Sequence, residues 1–203
     1  MPNRLTDLER DALTELVNIG VSRSATNLSR MLSEQVILSV PSVDIVSRSE
    51  AAHLVASGRR DSFVAVGQEF EGSFSGRALL IFPEESSQEL AHSLLDDTVG
   101  QDALKEMEQD ALREVGNVIL NGCLTVVANT LRENLDIKVP YVTRGDAFQL
   151  FAPDGAAEGL VIFLYVDFSV KSRSIRGYIA LAIDHLSIEQ LKAMVNGYIR
   201  NVL

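Results

Sequence analysis

The chain has 203 residues, 46% hydrophobic and 23% charged, an ordinary globular composition with enough apolar material for one sizeable core or two small ones. With 28 acidic against 18 basic residues the net charge is -10, which opposes attraction to a phosphate backbone and argues against nucleic acid as a partner. The lone Cys123 forms no internal disulfide, MPNRLTDLER lacks the basic-then-apolar order of a signal peptide, and apolar runs such as residues 160–166 fall far short of the roughly 20 residues that span a bilayer. A soluble chain in a reducing cytoplasm, without membrane insertion, is the expectation.

In chain order, Thr6 and Glu9 form a capping box, and Leu8, Ala12, Leu16 and Ile19 recur at helical spacing, predicting a helix to about Leu32 with these residues on its packed face. QVILSV and SFVAV read as strands, FSGRALLIF as another after the turn-like EGS, and Ser86 as the cap of a shorter helix through Leu95. A second long helix is predicted from about Asp102 to Leu131. Strands follow near IKVPYV, GLVIFLYVDF and SIRGYIALAI, and a helix after Ser187. His53, His92 and His185 are scattered, and no metal site is expected.

The second half repeats the first. Residues 11–43 laid over residues 110–142 agree at eleven of 33 positions without a gap, and at an offset of 101 Gly76, Leu80, Ser86 and Leu90 match Gly177, Leu181, Ser187 and Leu191. No Pro/Gly/Ser linker separates residues 1–98 from 99–203. The expected fold is therefore α+β: one domain over 1–203, built as a pseudo-twofold duplicated α-β-α unit with one continuous, largely antiparallel sheet and paired long helices.

Within the repeat, Asp11, Glu15 and Asn18 fall at i, i+4 and i+7, all within about 60° of one another on a helix, and Ser22 extends the stripe by a turn. Asp110, Glu114, Asn117 and Asn121 do the same on the second long helix. Pro41 and Pro140 each follow the Asn by 23 positions, in strand contexts where a missing N–H marks an edge or bulge. Taken singly, each is an ordinary solvated residue or strand end. All four residue types at one starting point have a chance frequency on the order of one in 100,000 at ordinary composition. The duplication accounts for their recurrence, but not for their retention while neighbours such as Gly20 and Ile119 diverged.

D-x3-E-x2-N-x22-P, present twice, resembles the CheC/CheX/FliY family of chemotaxis phosphatases, and the two-copy arrangement is most similar to stand-alone CheC. The likeness extends to NIG in the first copy and EVGN in the second, while Ser22 and Ser24 stand where the family often has Gly or Ala. The resemblance implies hydrolysis of the aspartyl phosphate on a CheY-type response regulator. An acyl phosphate is already activated, so an oriented in-line water and charge neutralisation suffice. It further implies water orientation by Asn18 and Asn117, through an amide that can both accept and donate, and docking of a regulator cation by Glu15 and Glu114. Asp11, Asp110, Pro41, Pro140, Ser22 and Asn121 flank the sites. No cofactor of the chain's own is implied, because magnesium belongs to the regulator. Two alternatives come with the family: an adapter for the receptor deamidase CheD, bound through a region such as the C-terminal helix, and a flagellar switch component like FliY. The second ranks lower because such proteins carry a further C-terminal rotor domain. No G-x-S-x-G elbow, GxxxxGK[ST] loop or H-E-x-x-H motif supports a different hydrolase.

Overall fold

The computed structural model describes residues 5–56, 62–92, 101–152, 159–170, 173–183 and 185–202. The first half runs α1 (Asp7–Leu32), β1 (Val36–Ser39), β2 (Val43–Ser47), α2 (Arg48–Ala56), β3 (Phe63–Gly72), β4 (Gly76–Pro83) and α3 (Glu84–His92). The second repeats it with α4 (Gln101–Leu131), β5 (Leu135–Ile137), β6 (Tyr141–Gly145), α5 (Ala147–Phe151), β7 (Leu160–Val170), β8 (Arg173–Ile183) and α6 (His185–Val202).

All strands join one antiparallel sheet in the order β1-β7-β8-β4-β3-β5, with β2 beside β7 and β6 beside β3 at the two edges. Its centre carries the pseudo-twofold axis. Leu79 of β4 pairs with Ala180 of β8, and the two are related by the offset of 101, so this pair maps onto itself. The flanking pairs Ala78 with Leu181 and Leu80 with Ile179 exchange.

One face of the sheet is covered by α1, α4 and α6 over a core that includes Leu16, Val21, Leu28, Val66, Leu80, Val115, Ile119 and Val195. Burying each such side chain contributes about 1.5–3 kcal/mol. The opposite face carries α2 and α5 over Phe63, Ala65, Leu79, Ile81, Phe163 and Ala180. The sequence reading anticipated neither of these short helices, nor β2 as a strand apart from β1. With five to nine residues each, α2 and α5 are too short to show a helical repeat and are held by packing.

The capping box is present, with the Thr6 hydroxyl accepting from Glu9 N–H and the Glu9 carboxylate accepting from Thr6 N–H. The packed face of α1 differs from the predicted one. Leu13, Leu16, Val17, Gly20, Val21, Ser24, Ala25 and Leu28 are buried, whereas Leu8 and Ile19 are exposed. The reason is that α1 meets both the sheet and α4, so its buried arc is broader and rotated. Similarly, α3 begins at Glu84, which places Ser86 inside the helix rather than at its cap, and residues 93–95 lie outside the described residues.

Helices α1 and α4 cross at backbone contact. A Cβ on Gly20 would sit 2.6 Å from the Gly122 carbonyl oxygen, and one on Gly122 would sit 2.0 Å from Ser24 Oγ. Ser24 fits there because its hydroxyl reaches both Gly20 O, at 3.0 Å, and Val118 O across the crossing, at 2.9 Å. Cys123 is buried at the same place, and burial pushes its thiol up to about 12. Residues 107–131 of α4 have the length and hydropathy of a membrane-crossing helix, and the fold accounts for that apolarity by burying Leu112, Val115, Ile119, Leu120, Leu124 and Val127. Asn196 of α6 donates to the buried Glu9 carboxylate at 2.7 Å, tying the last helix to the first. Burial alone would raise the Glu9 carboxyl, but the bonds from Thr6 and Asn196 and the charge of Lys192 outweigh it and hold the group below the usual range.

Candidate functional site

Each polar stripe lies where a long helix passes a break in an edge strand. At one edge Val40, Pro41 and Ser42 separate β1 from β2 and face only Tyr165 and Val166 of β7. At the other, Lys138, Val139 and Pro140 separate β5 from β6 and face Gln68 and Glu69 of β3. Both prolines therefore sit in bulge-like breaks between paired segments, where no ladder bond is required of them.

On the helices, Asp11, Glu15 and Ser22 of α1 and Asp110 and Glu114 of α4 are exposed, and Asn18, Asn117 and Asn121 are half-buried. Neither Glu15 nor Glu114 makes an ion pair or hydrogen bond among the described residues, so both carboxylates stand available to an external cation. Asp110 is held by Arg113 at 2.7 Å. Exposed apolar side chains flank each Glu at matching places: Leu8 and Ile19 beside Glu15, and Met107, the counterpart of Leu8, beside Glu114.

The two Asn residues are held differently. Asn18 clamps the first break: its Nδ2 donates to Val40 O at 2.7 Å and its Oδ1 accepts from Val40 N at 2.9 Å. Val40 is drawn in to 1% exposure. At the second break Asn117 makes no such clamp, and Val139, the counterpart of Val40, is 82% exposed. Asn117 Oδ1 instead accepts from Asn121 Nδ2 at 2.6 Å. Gln68 Nε2 donates both to Asn121 Oδ1, at 3.3 Å, and to Lys138 O, at 2.9 Å. Gln68 is 1% exposed and its Oε1 is buried without a hydrogen-bond partner, a situation that costs about 1–3 kcal/mol.

A glycine makes this network possible. A Cβ on Gly116 would fall 2.4 Å from Val66 of β3, so only Gly lets α4 lie this close to the strand that carries Gln68. The equivalent position of α1 is Val17. Beside the second break the Lys138 ammonium is raised above its ordinary range, first by its bond to Asp136 and then by the charges of Asp136 and Glu71. Among the described residues no three His, Cys, Asp or Glu side chains gather as a metal site.

The structure thus ties Asn18 directly to the break that carries Pro41, links Asn117 through Asn121 and Gln68 to the break that carries Pro140, and keeps the two breaks at opposite sheet edges. Sequence reasoning missed Gln68, Val139 and the apolar residues beside each Glu. Gln68 had a signal, being a polar residue in the apolar run FVAVGQ; the others had none, because their exposure depends on packing.

Residues 64–164 match the family described as chemotaxis phosphatase CheX, and residues 8–45 match the CheC-like family. The chain belongs to the CheC/CheX/FliY family. It is 29% identical over 140 residues to the flagellar motor switch phosphatase FliY of Bacillus subtilis, a match that covers 68% of this chain and 36% of that protein. The chain therefore spans about a third of that relative's length. To the CheY-P phosphatase CheC of Bacillus subtilis it is 25% identical over 162 residues, covering 77% of this chain and 75% of the relative. The solved structure of Thermotoga maritima FliY shares the family fold with a TM-score of 0.73 at 18% identity, covering 96% of this chain and 98% of that one.

Proposed function

We propose that the chain hydrolyses the aspartyl phosphate of a CheY-type response regulator. The observation that carries this reading is the pairing, on each long helix, of an exposed carboxylate with no partner among the described residues and an anchored Asn amide one turn on. Glu114 and Glu15 take a cation of the regulator, setting the Asn beside the phosphoryl group. The Asn directs a water in line with the scissile bond without a charge that would repel the phosphate. The water oxygen bonds to phosphorus as the bond to the aspartyl oxygen breaks. The aspartate leaves as carboxylate, and the water's protons pass to the released phosphate or to solvent. The magnesium that neutralises the phosphoryl oxygens is the regulator's.

Asn117 is the better placed of the two. Its Nδ2 makes no hydrogen bond among the described residues, whereas both ends of the Asn18 amide are engaged by Val40. The test adds the chain to a phosphorylated CheY-type regulator and follows phosphate loss for the parent, Asn18→Ala, Asn117→Ala and the double variant. Acceleration by the parent and its loss in the double variant are expected, with the larger single loss in Asn117→Ala. A double variant as fast as the parent defeats the assignment. The exposure of Leu186 at the start of α6, at 69%, suits a second reading as an adapter for a CheD-type deamidase. Tight binding of such a protein by a chain that leaves the phosphate intact would favour it.

A further inference from the structure

We infer that Gln68 and Asn121 are positioning residues that set the polarity of the Asn117 amide, giving the second site an amide of fixed orientation whose NH2 is left unengaged, whereas both ends of the Asn18 amide are taken up by Val40. This rests on the phosphatase reading of the Glu114/Asn117 site and concerns how that site is organised. A primary amide can turn over and present either its oxygen or its NH2, and an isolated Asn at a surface samples both. Here the choice is made by a backbone carbonyl, which can only accept. Lys138 O faces Gln68, so the Gln68 NH2 must point to it. That same NH2 donates to Asn121, whose oxygen must face Gln68 and whose NH2 must face Asn117. Asn117 therefore accepts through Oδ1 on the side of Asn121, and its NH2 is left without a hydrogen bond among the described residues. One lone pair of Oδ1 remains for a water proton.

Two observations separate this from ordinary core packing. The amide of Gln68 is a poor structural choice, since its Oε1 is buried without a partner. Moreover, the relay is confined to the second half: opposite the first break the strand carries Val166, and the place of Asn121 is taken by Ser22. Gly116 completes the arrangement by bringing α4 against Val66.

The experiment compares the parent with Gln68→Leu and with Asn121→Ser, which installs the first-half residue, on a phosphorylated CheY-type regulator. The expected result is a fall in kcat of about 10- to 100-fold with KM for the regulator within twofold, because docking by Glu114 is untouched. The Tm of Gln68→Leu should stay close to that of the parent, since loss of the donor to Lys138 O is offset by removal of the unpartnered oxygen. Adding Gln68→Leu to Asn117→Ala should cost nothing further. An unchanged kcat in both variants overturns the relay and leaves the phosphatase reading intact. A lowered Tm with kcat and KM impaired together assigns Gln68 to packing and also overturns it. If the parent itself releases no phosphate, the phosphatase reading fails, and the relay is then decided by NMR of the side-chain amides. The Asn117 and Asn121 NH2 signals, identified through the Asn117→Ala and Asn121→Ser variants, should both shift in Gln68→Leu. Signals that stay in place refute it.

Discussion

Replacing each Asn by Ala should separate the two halves by stability as well as by activity. Asn18→Ala removes both the donor to Val40 O and the acceptor for Val40 N, and Val40 is 1% exposed, so two backbone groups lose their partners away from solvent. An unsatisfied buried group costs about 1–3 kcal/mol, and with partial access of water past the exposed Pro41 the pair amounts to about 2–4 kcal/mol. For 203 residues the unfolding entropy is about 0.4 kcal/mol per kelvin, so Tm should fall by about 5–9 °C. Asn117→Ala breaks one side-chain bond, whose remaining partner Asn121 is half-buried and can turn to water. That loss is about 0.5–1.5 kcal/mol, or about 1–3 °C. Differential scanning calorimetry or a fluorescence melt of the two variants at one concentration and pH measures both. Equal shifts, or a larger one for Asn117→Ala, would refute the clamp as the stability-bearing member of the pair.

Other consequences are accessible to similar measurements. The Glu9 carboxyl is held below its usual range, so its contribution is present above the pKa of the unfolded chain and is lost as pH falls through the lower folded value. Glu9→Gln should therefore destabilise at pH 7 and by less in urea melts at pH 3, and a pH-independent difference would contradict the assignment. Gly116→Ala should drive α4 away from Val66, costing about 1–3 kcal/mol by denaturant melt and slowing hydrolysis through Asn117. Cys123, buried with its thiol pushed up to about 12, should resist alkylation at pH 8 in the folded protein and react promptly in denaturant, as followed by mass spectrometry.

Much of this protein was legible in its sequence because the governing periodicities are local. The gapless repeat of residues 11–43 over 110–142 implied two like halves, and the spacing of Asp, Glu and Asn placed each set on one helical stripe regardless of what packs behind it. Apolar, β-branched runs marked most of the strands for the same reason. The buried arc of α1 was not readable, because it depends on simultaneous contact with α4 and the sheet, and Leu8 and Ile19 ended on the outside. Nor were α2 and α5, whose few turns are stable only against the sheet face they cover. Above all, the Asp, Glu, Asn and Pro of the motif are identical in both halves, so sequence alone left open whether the two sites work alike. Tertiary structure made them unequal, since what an amide can offer depends on where its two ends are already bound. Asn18 is closed onto Val40, whereas Asn117 is held at its oxygen alone by Asn121, itself held by Gln68, a residue that lies 49 positions away in the chain and comes near only through the close approach at Gly116.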